Sequence, residues 1–251
     1  MDIKQLKEFE ERVVELFNNG EIKSPVHLSG SVDNTCENEL IRIFKENNIS
    51  KDDWCFSTYR SHYHALLKGI DKNWLLDWIK DNKSIHVMNK EQKFFTSAIV
   101  GGCLPITLGV AKGLKLNSQS VSEENQSHLD KKFVTSTEDS FPHESADTKV
   151  YIFIGDMTFM TGIFDECFRY AINHKLPIKF IIECNYLSTD TDTAEVWGLS
   201  RMEINNMLKS MKEEYPNYFD YFVYERKYPH YGTGKFIDKI WSKEDVKSKG
   251  F

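Results

Sequence analysis

Two apolar runs between residues 149 and 191 constrain the fold of this chain more than any other feature of its sequence. The first run covers residues 150–154 and is followed by Asp156, and the second covers residues 178–182 and is followed by Asn185. A segment of helical length separates them, which is the arrangement of two parallel strands joined by a crossover helix. We therefore predict an α/β fold with a parallel sheet flanked by helices. Ligands of open α/β sheets bind beyond the carboxyl ends of the strands, so the sheet edge at Asp156 and Asn185 is the expected site.

A carboxylate and an amide oxygen at one sheet edge form part of an oxygen cage suited to a hard cation such as Mg²⁺. This ion takes about six oxygen ligands at roughly 2.0–2.1 Å, several of them from water or from phosphate groups. Asp156 and Asn185 therefore predict a metal ion that bridges the protein to a phosphorylated ligand. Considered alone, Asp156 could equally cap the helix that follows the strand.

The overall composition excludes several classes of protein. A net charge of −6 lacks the positive excess that non-specific nucleic-acid binding requires. No apolar run approaches the roughly 20 residues that cross a bilayer, and the amphipathic N-terminus is unlike a signal peptide. The cysteines have the spacing of neither a zinc site nor a disulfide framework, so we expect buried, reduced thiols in a cytoplasmic protein. They are Cys36, Cys55, Cys103, Cys167 and Cys184.

We predict a single α/β domain over residues 1–251. Residues 84–102 are predicted to be a long loop, and residues 103–116 a helix with little side-chain bulk. Residues 117–148 are rich in Ser, Asn, Glu and Asp and have no sustained period. We expect this stretch to be a surface insertion, mobile or disordered, rather than a domain boundary.

The segment 155–191 resembles the thiamine-diphosphate motif, in which Gly-Asp-Gly is followed after a helix and a strand by Asn-Asn. In detail it is similar to the α subunits of 2-oxo acid dehydrogenase E1 components, those of the pyruvate, branched-chain and acetoin dehydrogenases. That family has a glycine and a glutamate in the helix, a Lys-Leu-Pro turn, and Glu-Asn-Asn after the second strand. The matching residues of this chain are Gly155, Asp156, Gly162, Glu166, Lys175, Leu176, Pro177, Glu183 and Asn185.

Four upstream segments resemble the same family in the same order. They are His27-Leu28 followed by Gly30, similar to H-L-x-x-G; residues 59–62, similar to Y-R-x-H; residues 84–86, similar to S-M-H; and residues 98–105, similar to G-I-V-G-A-Q-V-P. One such motif would be a weak indication, whereas several in the right order are a specific one. The resemblance covers residues 24–116 and 149–191.

The resemblance implies a diphosphate-binding domain of the thiamine-diphosphate-binding fold and gives roles to single residues. Tyr59 and Arg60 would hold the diphosphate, since a planar guanidinium pairs two phosphate oxygens at once. Asp156, Asn185 and the backbone carbonyl of Leu187 would bind the magnesium ion. The cofactor-binding residues implied are Tyr59, Arg60, Ala98, Val100, Gly155, Asp156, Met157, Thr158 and Asn185, with the loop that contains Ala98 and Val100 meeting the aminopyrimidine ring.

Three histidines are the catalytic candidates. His27 and His86 lie in two of the matching segments, and His27 corresponds to a histidine that faces the substrate. His230 is assigned through a looser match of residues 227–234 to a later histidine loop of the family. These residues would stabilise the carboxylate of the substrate or the charged intermediate.

Two positions depart from the family pattern. Met157 replaces the third glycine of Gly-Asp-Gly, where the backbone normally approaches the diphosphate, and Cys184 replaces the first asparagine. A methionine there either tilts the cofactor or points away from it. Because Asp156 and Asn185 are kept, we expect cofactor binding to survive with reduced affinity.

The function implied is that of an α-type subunit in a two-component enzyme that uses thiamine diphosphate and Mg²⁺. With a β subunit, it would decarboxylate a 2-oxo acid or related carbonyl substrate and transfer the acyl or aldehyde unit, for example to a lipoyl acyl carrier. The β subunit would carry the pyrimidine-binding domain and the glutamate that activates the cofactor. We therefore expect the isolated chain to be inactive, and a heterotetramer of two α and two β chains is the usual assembly of the family.

Other functions remain open at this point. The same half-site occurs in split transketolases and would also serve an acyloin synthase subunit. Met157 and Cys184 are compatible with a non-catalytic regulatory subunit that has lost the cofactor. A short DxD pattern within residues 189–192 resembles the Mn²⁺ motif of some glycosyltransferases.

Overall fold

The computed structural model describes residues 1–124 and 148–233 of the chain. The helices are α1 (Ile3–Asn18), α2 (Thr35–Glu46), α3 (His62–Leu67), α4 (Lys72–Lys80), α5 (Cys103–Glu124), α6 (Asp156–Phe159), α7 (Gly162–Asn173), α8 (Thr193–Trp197) and α9 (Arg201–Glu214). The strands are β1 (Trp54–Thr58), β2 (Met88–Asn89), β3 (Phe94–Ser97), β4 (Val150–Gly155), β5 (Ile178–Cys184), β6 (Leu187–Ser188), β7 (Thr191–Asp192) and β8 (Phe219–Val223). None of these helices is long and apolar enough to cross a membrane.

The central sheet has the strand order β2-β3-β1-β4-β5-β8, and β6 pairs with β7 in a separate hairpin. Strands β3, β1, β4, β5 and β8 are parallel, whereas the edge strand β2 runs antiparallel to β3. The predicted α/β class is therefore confirmed. In the pairing of β4 with β5, Gly155 lies opposite Glu183. This register brings Asp156 and Asn185, which follow the two strands closely, to the same carboxyl edge.

Strand β4 is buried on both faces of the sheet. Tyr151 and Phe153 pack into a core formed with helices α1 to α4, and Ile152 and Ile154 pack into a second core with α5, α7 and α9. Because successive side chains of a strand point to opposite faces, an unbroken apolar run supplies both cores. The helices cover the two faces of the sheet, so the carboxyl edge remains accessible for a binding site.

Two sequence predictions differ from the structure. Residues 84–102, predicted to be a long loop, contain β2 and β3, and β3 pairs with β1 over four residues. Helix α5 extends to Glu124, so residues 117–124 of the predicted insertion are helical. A helix that has already formed adds residues at little cost, even where no apolar stripe continues. The rest of the predicted insertion, residues 125–147, lies outside the described residues.

The predicted burial of all five cysteines is confirmed. Burial raises the pKa of the Cys55 and Cys184 thiols to about 12, and that of Cys36 well above its usual value. A thiol with a raised pKa is a poor nucleophile and a poor metal ligand. These side chains therefore pack as small apolar groups.

Helix α9 begins with a capping box that offers a local test of the fold. The Ser200 hydroxyl accepts a hydrogen bond from the Glu203 N–H at 3.2 Å, and the Glu203 carboxylate accepts one from the Ser200 N–H at 2.7 Å. Replacing Ser200 with alanine is expected to lower the free energy of unfolding by about 1 kcal/mol, because the first turn loses an acceptor. Ser210→Ala, in an exposed position of the same helix, is the matched control and should be neutral or slightly stabilising. Urea denaturation measures both, and equal losses would contradict the capping role.

Candidate functional site

A cleft opens at the carboxyl edge of the sheet, where β1, β3, β4 and β5 end. Most of the residues expected to bind the cofactor or the metal line it: Tyr59, Arg60, Val100, Gly155, Asp156, Met157, Thr158, Asn185 and Leu187. The cleft also contains residues to which the sequence assigned no role: Thr58, Ser97, Ile99, Ile154, Glu183, Ser188 and Tyr224. Residues that are far apart in the chain therefore meet at the sheet edge indicated by the two apolar runs.

Asp156 is fully buried although it lines the cleft. Its Oδ1 accepts a hydrogen bond from the backbone N–H of Asn185 at 3.2 Å, whereas Oδ2 has no hydrogen-bond partner. Burial raises the pKa of the carboxyl, and the nearby Thr193 hydroxyl and the N–H of Asn185 oppose that rise. A buried carboxylate oxygen without a partner is unfavourable. A cation bound at Oδ2 would supply the missing interaction.

The amide of Asn185 is held in one orientation by two neighbours. Its Nδ2 donates a hydrogen bond to the Tyr224 hydroxyl at 3.1 Å, and its Oδ1 accepts one from the N–H of Leu187 at 3.0 Å. An amide oxygen has two lone pairs, so Oδ1 can still coordinate a cation. Tyr224, the residue that follows β8, therefore orients a candidate metal ligand.

The pairing in the β6–β7 hairpin decides whether the backbone carbonyl of Leu187 is available as a ligand. Leu187 lies opposite Asp192, and the N–H of Thr193 donates to the carbonyl of Tyr186 at 2.9 Å. Hydrogen-bonded and non-hydrogen-bonded pairs alternate along antiparallel strands, so the pair of Leu187 with Asp192 is of the non-hydrogen-bonded kind. The pairing therefore leaves the Leu187 carbonyl free to act as a ligand.

These three residues fit the donor set that Mg²⁺ prefers. A carboxylate, an amide oxygen and a backbone carbonyl are all oxygen ligands, and the remaining positions would be filled by phosphate and water oxygens. Residues 1–124 and 148–233 contain no group of three or more His, Cys, Asp or Glu residues that could hold a metal ion. The candidate set has a single acidic side chain, which suits an ion that is shared with an anionic ligand.

Arg60 is buried beside the cleft and uses part of its hydrogen-bonding capacity on the backbone. Its Nη1 donates to the carbonyl of Leu28, and its Nη2 approaches the carbonyl of His230 at 3.5 Å. A guanidinium has five N–H donors, so others remain for a phosphate. Tyr59 lies next to it, and its ring packs against that of His27 at a tilt of 50°, with ring centroids 4.5 Å apart.

His27 and His230 form a pair next to Tyr59, with ring centroids 4.7 Å apart. The Nδ1 of His27 lies 2.7 Å from the carbonyl of His230. A carbonyl can only accept, so Nδ1 carries the proton and Nε2 is left as an acceptor. Burial, with a smaller contribution from Arg60, lowers the pKa of His27 to about 3, and it also lowers the pKa of His230. His27 is therefore a neutral hydrogen-bonding group at physiological pH rather than a cation.

His27 and His230 do not line the cleft themselves but adjoin Tyr59, which does, and two other candidates also lie outside the cleft lining. His86 is exposed, and its backbone carbonyl accepts a hydrogen bond from the indole of Trp78 at 3.0 Å. Ala98 is half-buried between Ser97 and Ile99, both of which line the cleft. The structure thus brings His27 and His230 together but does not bring His86 to them.

The two faces at the end of β5 have different surroundings. Glu183 and Asn185 line the cleft, whereas Cys184 between them is fully buried in the core. Glu183 Oε1 lies 2.7 Å from the Nε2 of the buried His64, whose Nδ1 is hydrogen-bonded to Ser57 at 2.8 Å. The sequence motif contains Glu183, but its pattern does not reveal the contact with His64. Cys184 therefore packs in the core and does not contribute to the cleft lining.

The segment that carries His27 is tied to helix α1 by Glu10. The Glu10 carboxylate accepts hydrogen bonds from the N–H groups of Ser29 and Gly30 and from the Tyr63 hydroxyl, the last two at 2.9 Å. A Cβ atom at Gly30 would lie 2.8 Å from Glu10 Oε2, so glycine is needed for this close approach. Burial raises the pKa of Glu10 to about 7. The three hydrogen-bond donors oppose this rise, and the nearby Glu37 adds to it. Glu10 thereby fixes the backbone between His27 and the start of α2.

The carboxylates of the DxD pattern have other partners. Asp190 pairs with Arg226 at 2.5 Å. Asp192 pairs with Arg201 at 2.8 Å and caps the N-terminus of α8 by accepting from the N–H of Ala194. Both side chains stabilise the surface around the β6–β7 hairpin, an arrangement that does not favour the glycosyltransferase hypothesis.

Comparison with known proteins gives a consistent result. A family model described as dehydrogenase E1 component matches residues 2–198. The chain is 24% identical over 207 residues to the pyruvate dehydrogenase E1 component subunit alpha-3, chloroplastic, of Arabidopsis thaliana, covering 76% of this chain and 42% of that protein. It is 26% identical over 203 residues to the pyruvate dehydrogenase E1 component subunit alpha of Rickettsia conorii, covering 77% and 52%. The chain thus spans about half the length of the curated relatives it matches.

A solved structure from Mycobacterium smegmatis, described as that of a thiamin diphosphate-dependent enzyme, also aligns with the chain. The alignment covers 75% of this chain and 31% of that one, with 16% sequence identity and a TM-score of 0.34. A TM-score this low does not by itself establish a shared fold.

Proposed function

The chain belongs to the family of dehydrogenase E1 components, and from this we propose that it is an α-type subunit of a two-component enzyme dependent on thiamine diphosphate. It binds the diphosphate and Mg²⁺ and, with a β subunit, decarboxylates a 2-oxo acid and passes on the acyl or aldehyde unit. The observation that carries the proposal is the buried Oδ2 of Asp156, which has no hydrogen-bond partner, on a residue that lines the cleft together with Asn185 and Leu187.

The chain's own residues divide the binding of the cofactor among them. Asp156, Asn185 and the carbonyl of Leu187 hold the metal ion, and Tyr59 and Arg60 meet the diphosphate. When bound, thiamine diphosphate supplies an ylid that adds to a carbonyl group and then accepts the electrons of decarboxylation. The remaining cofactor contacts come from the backbone of residues 155–158 and from the loop of residues 97–100.

His27 contributes as a neutral group in this proposal. Its Nδ1–H is fixed by the carbonyl of His230, so Nε2 is the nitrogen that accepts a hydrogen bond. Such a nitrogen is suited to a hydroxyl or protonated carboxyl of the reacting molecule. His230 positions His27 through its backbone carbonyl, and its ring packs beside that of His27 in a tilted arrangement. His86, exposed outside the cleft, has no part in the proposal.

The partner is proposed to be a β-type chain. It provides the pyrimidine-binding half of the site and the glutamate that activates the cofactor, while this chain provides the diphosphate-binding half. A lipoyl-bearing protein is the proposed acceptor of the acyl unit. Reduced, buried cysteines are compatible with the cytoplasm as the proposed compartment.

The proposal is tested by calorimetric titration of thiamine diphosphate into the purified chain, with Mg²⁺ and with EDTA. We expect the cofactor and the metal each to require the other, because the ion is shared between Asp156 and the diphosphate. The titration is repeated with a candidate β chain, since a half-site binds more weakly without its partner. Absence of binding in the presence of both Mg²⁺ and the partner would refute the proposal. Decarboxylation by the purified chain alone would refute the split site.

A further inference from the structure

Met157 occupies the position at which the resembling motif has a glycine, directly after Asp156. Met157 lines the cleft. Its sulfur lies 3.2 Å from the indole Nε1 of Trp197, which does not line the cleft. The indole N–H donates and the thioether accepts. The Met157 sulfur is therefore held at helix α8, which contributes no residue to the cleft lining.

Helix α8, which ends at Trp197, is defined at both ends by capping residues. Asp192 caps its N-terminus by accepting from the N–H groups of Ala194 and Glu195 at 2.8 and 3.2 Å. At its other end, Gly198 adopts a left-handed conformation with φ 63°, which ends the helix directly after Trp197. Helix α8 follows the β6–β7 hairpin directly, so Trp197 and the carbonyl of Leu187 lie in one continuous segment of the chain.

Methionine has three rotatable side-chain bonds and adapts readily to the space around it. Without a partner, the Met157 side chain would be free to enter the space that the diphosphate needs. The indole of Trp197 is partly exposed, so its contact with the sulfur contributes little to the core. Its effect is on the position of Met157.

We propose that Trp197 is a positioning residue that holds the side chain of Met157 out of the diphosphate-binding space. This inference rests on the proposed function and explains how a chain with methionine in place of glycine still binds the cofactor. In this arrangement the side chain of the methionine neither contacts the diphosphate nor tilts it, and only its backbone faces the cofactor.

A double-mutant cycle in the full chain, with the partner chain present, tests the proposal. The proteins are wild type, Trp197→Phe, Met157→Gly and the double variant, and the probes are thiamine diphosphate and inorganic pyrophosphate, each with Mg²⁺. Trp197→Phe keeps an aromatic ring but removes the N–H donor, and it is expected to weaken binding of both probes between about two- and tenfold, which is the range for one neutral hydrogen bond. In the Met157→Gly background the same replacement should change binding less than about twofold, because the side chain to be positioned is gone.

Thermal unfolding of the four proteins without ligand is the control for folding. A merely structural Trp197 would lower affinity equally in both backgrounds, and that result would overturn the inference. Binding by Met157→Gly but not by wild type would also overturn it, because the methionine would then block the site, while the proposed function would stand. If neither of these two proteins binds the cofactor, the proposed function fails, and the inference fails with it.

Discussion

Asp156→Ala is expected to abolish magnesium-dependent binding of thiamine diphosphate while leaving the ligand-free chain at least as stable as wild type. The carboxylate is the single acidic ligand in the candidate metal set, and loss of groups that merely support metal ligands already costs about 10- to 100-fold in affinity. We therefore expect a loss of at least about 100-fold. Stability moves the other way, because burial raises the pKa of this carboxyl and Oδ2 has no hydrogen-bond partner. Calorimetry with Mg²⁺ measures the binding, and urea denaturation measures the stability.

The sign of the stability effect separates a ligand site from a structural carboxylate. A group whose pKa is raised by folding contributes its stability at low pH and loses it as the pH rises through the folded value. The gain in Asp156→Ala should therefore be larger at neutral pH than at acidic pH. Asp77→Ala, an exposed carboxylate on α4, is the matched control and should change neither binding nor stability appreciably. If Asp156→Ala unfolded the chain or kept full cofactor affinity, the metal assignment would be wrong.

Replacing Glu10 with glutamine is expected to change how stability depends on pH. Burial raises the pKa of Glu10 from 4.5 to about 7, so the folded chain binds more protons than the unfolded chain between these values. The stability that depends on Glu10 is thus fully present below about pH 4.5 and is lost as the pH rises through about 7. The difference corresponds to on the order of 3 kcal/mol. The measurement is the free energy of unfolding of wild type minus that of Glu10→Gln at several pH values from 4 to 8.

The expected curve falls with rising pH and becomes flat above about pH 8. Glutamine itself fits the site poorly, since its NH₂ group would face an N–H donor of Ser29 or Gly30, but this penalty does not vary with pH. Glu11→Gln is the matched control, because Glu11 is the exposed neighbour on the same helix and should give a flat difference. A flat difference for Glu10→Gln would mean that folding does not shift the pKa of its carboxyl, because the three donors offset its burial.

The sequence predicted the part of the fold that depends on contacts between neighbouring elements. Strands β4 and β5 are buried on both faces and are joined by a short crossover that contains α6 and α7, so their apolar runs and the side chains after them were sufficient to place Asp156 and Asn185 together. Strands β2 and β3 have two and four residues, too few for a recognisable alternation, and were predicted as loop. Their pairing with the sheet comes from tertiary contacts.

The candidate site was predicted where a motif covers it and missed where long-range contacts form it. Tyr224 orients Asn185 across 39 residues of sequence, and Trp197 reaches Met157 across 40. No local pattern indicates either contact, because both depend on how strand β8 and helix α8 pack beside the cleft. The opposite case is His86, which lies within a matching segment but is exposed outside the cleft lining.

The alternation at the end of β5 has a consequence for finding related chains. Glu183 and Asn185 face the cleft, whereas Cys184 is enclosed in the core. The side chain at position 184 is therefore constrained by packing against its neighbours and not by contact with a ligand. A buried thiol needs no hydrogen-bond partner, whereas an asparagine amide at this position would need partners in the core, so a difference here concerns the core and not the ligand. A search pattern for such chains should leave this position open and specify the residues on either side of it.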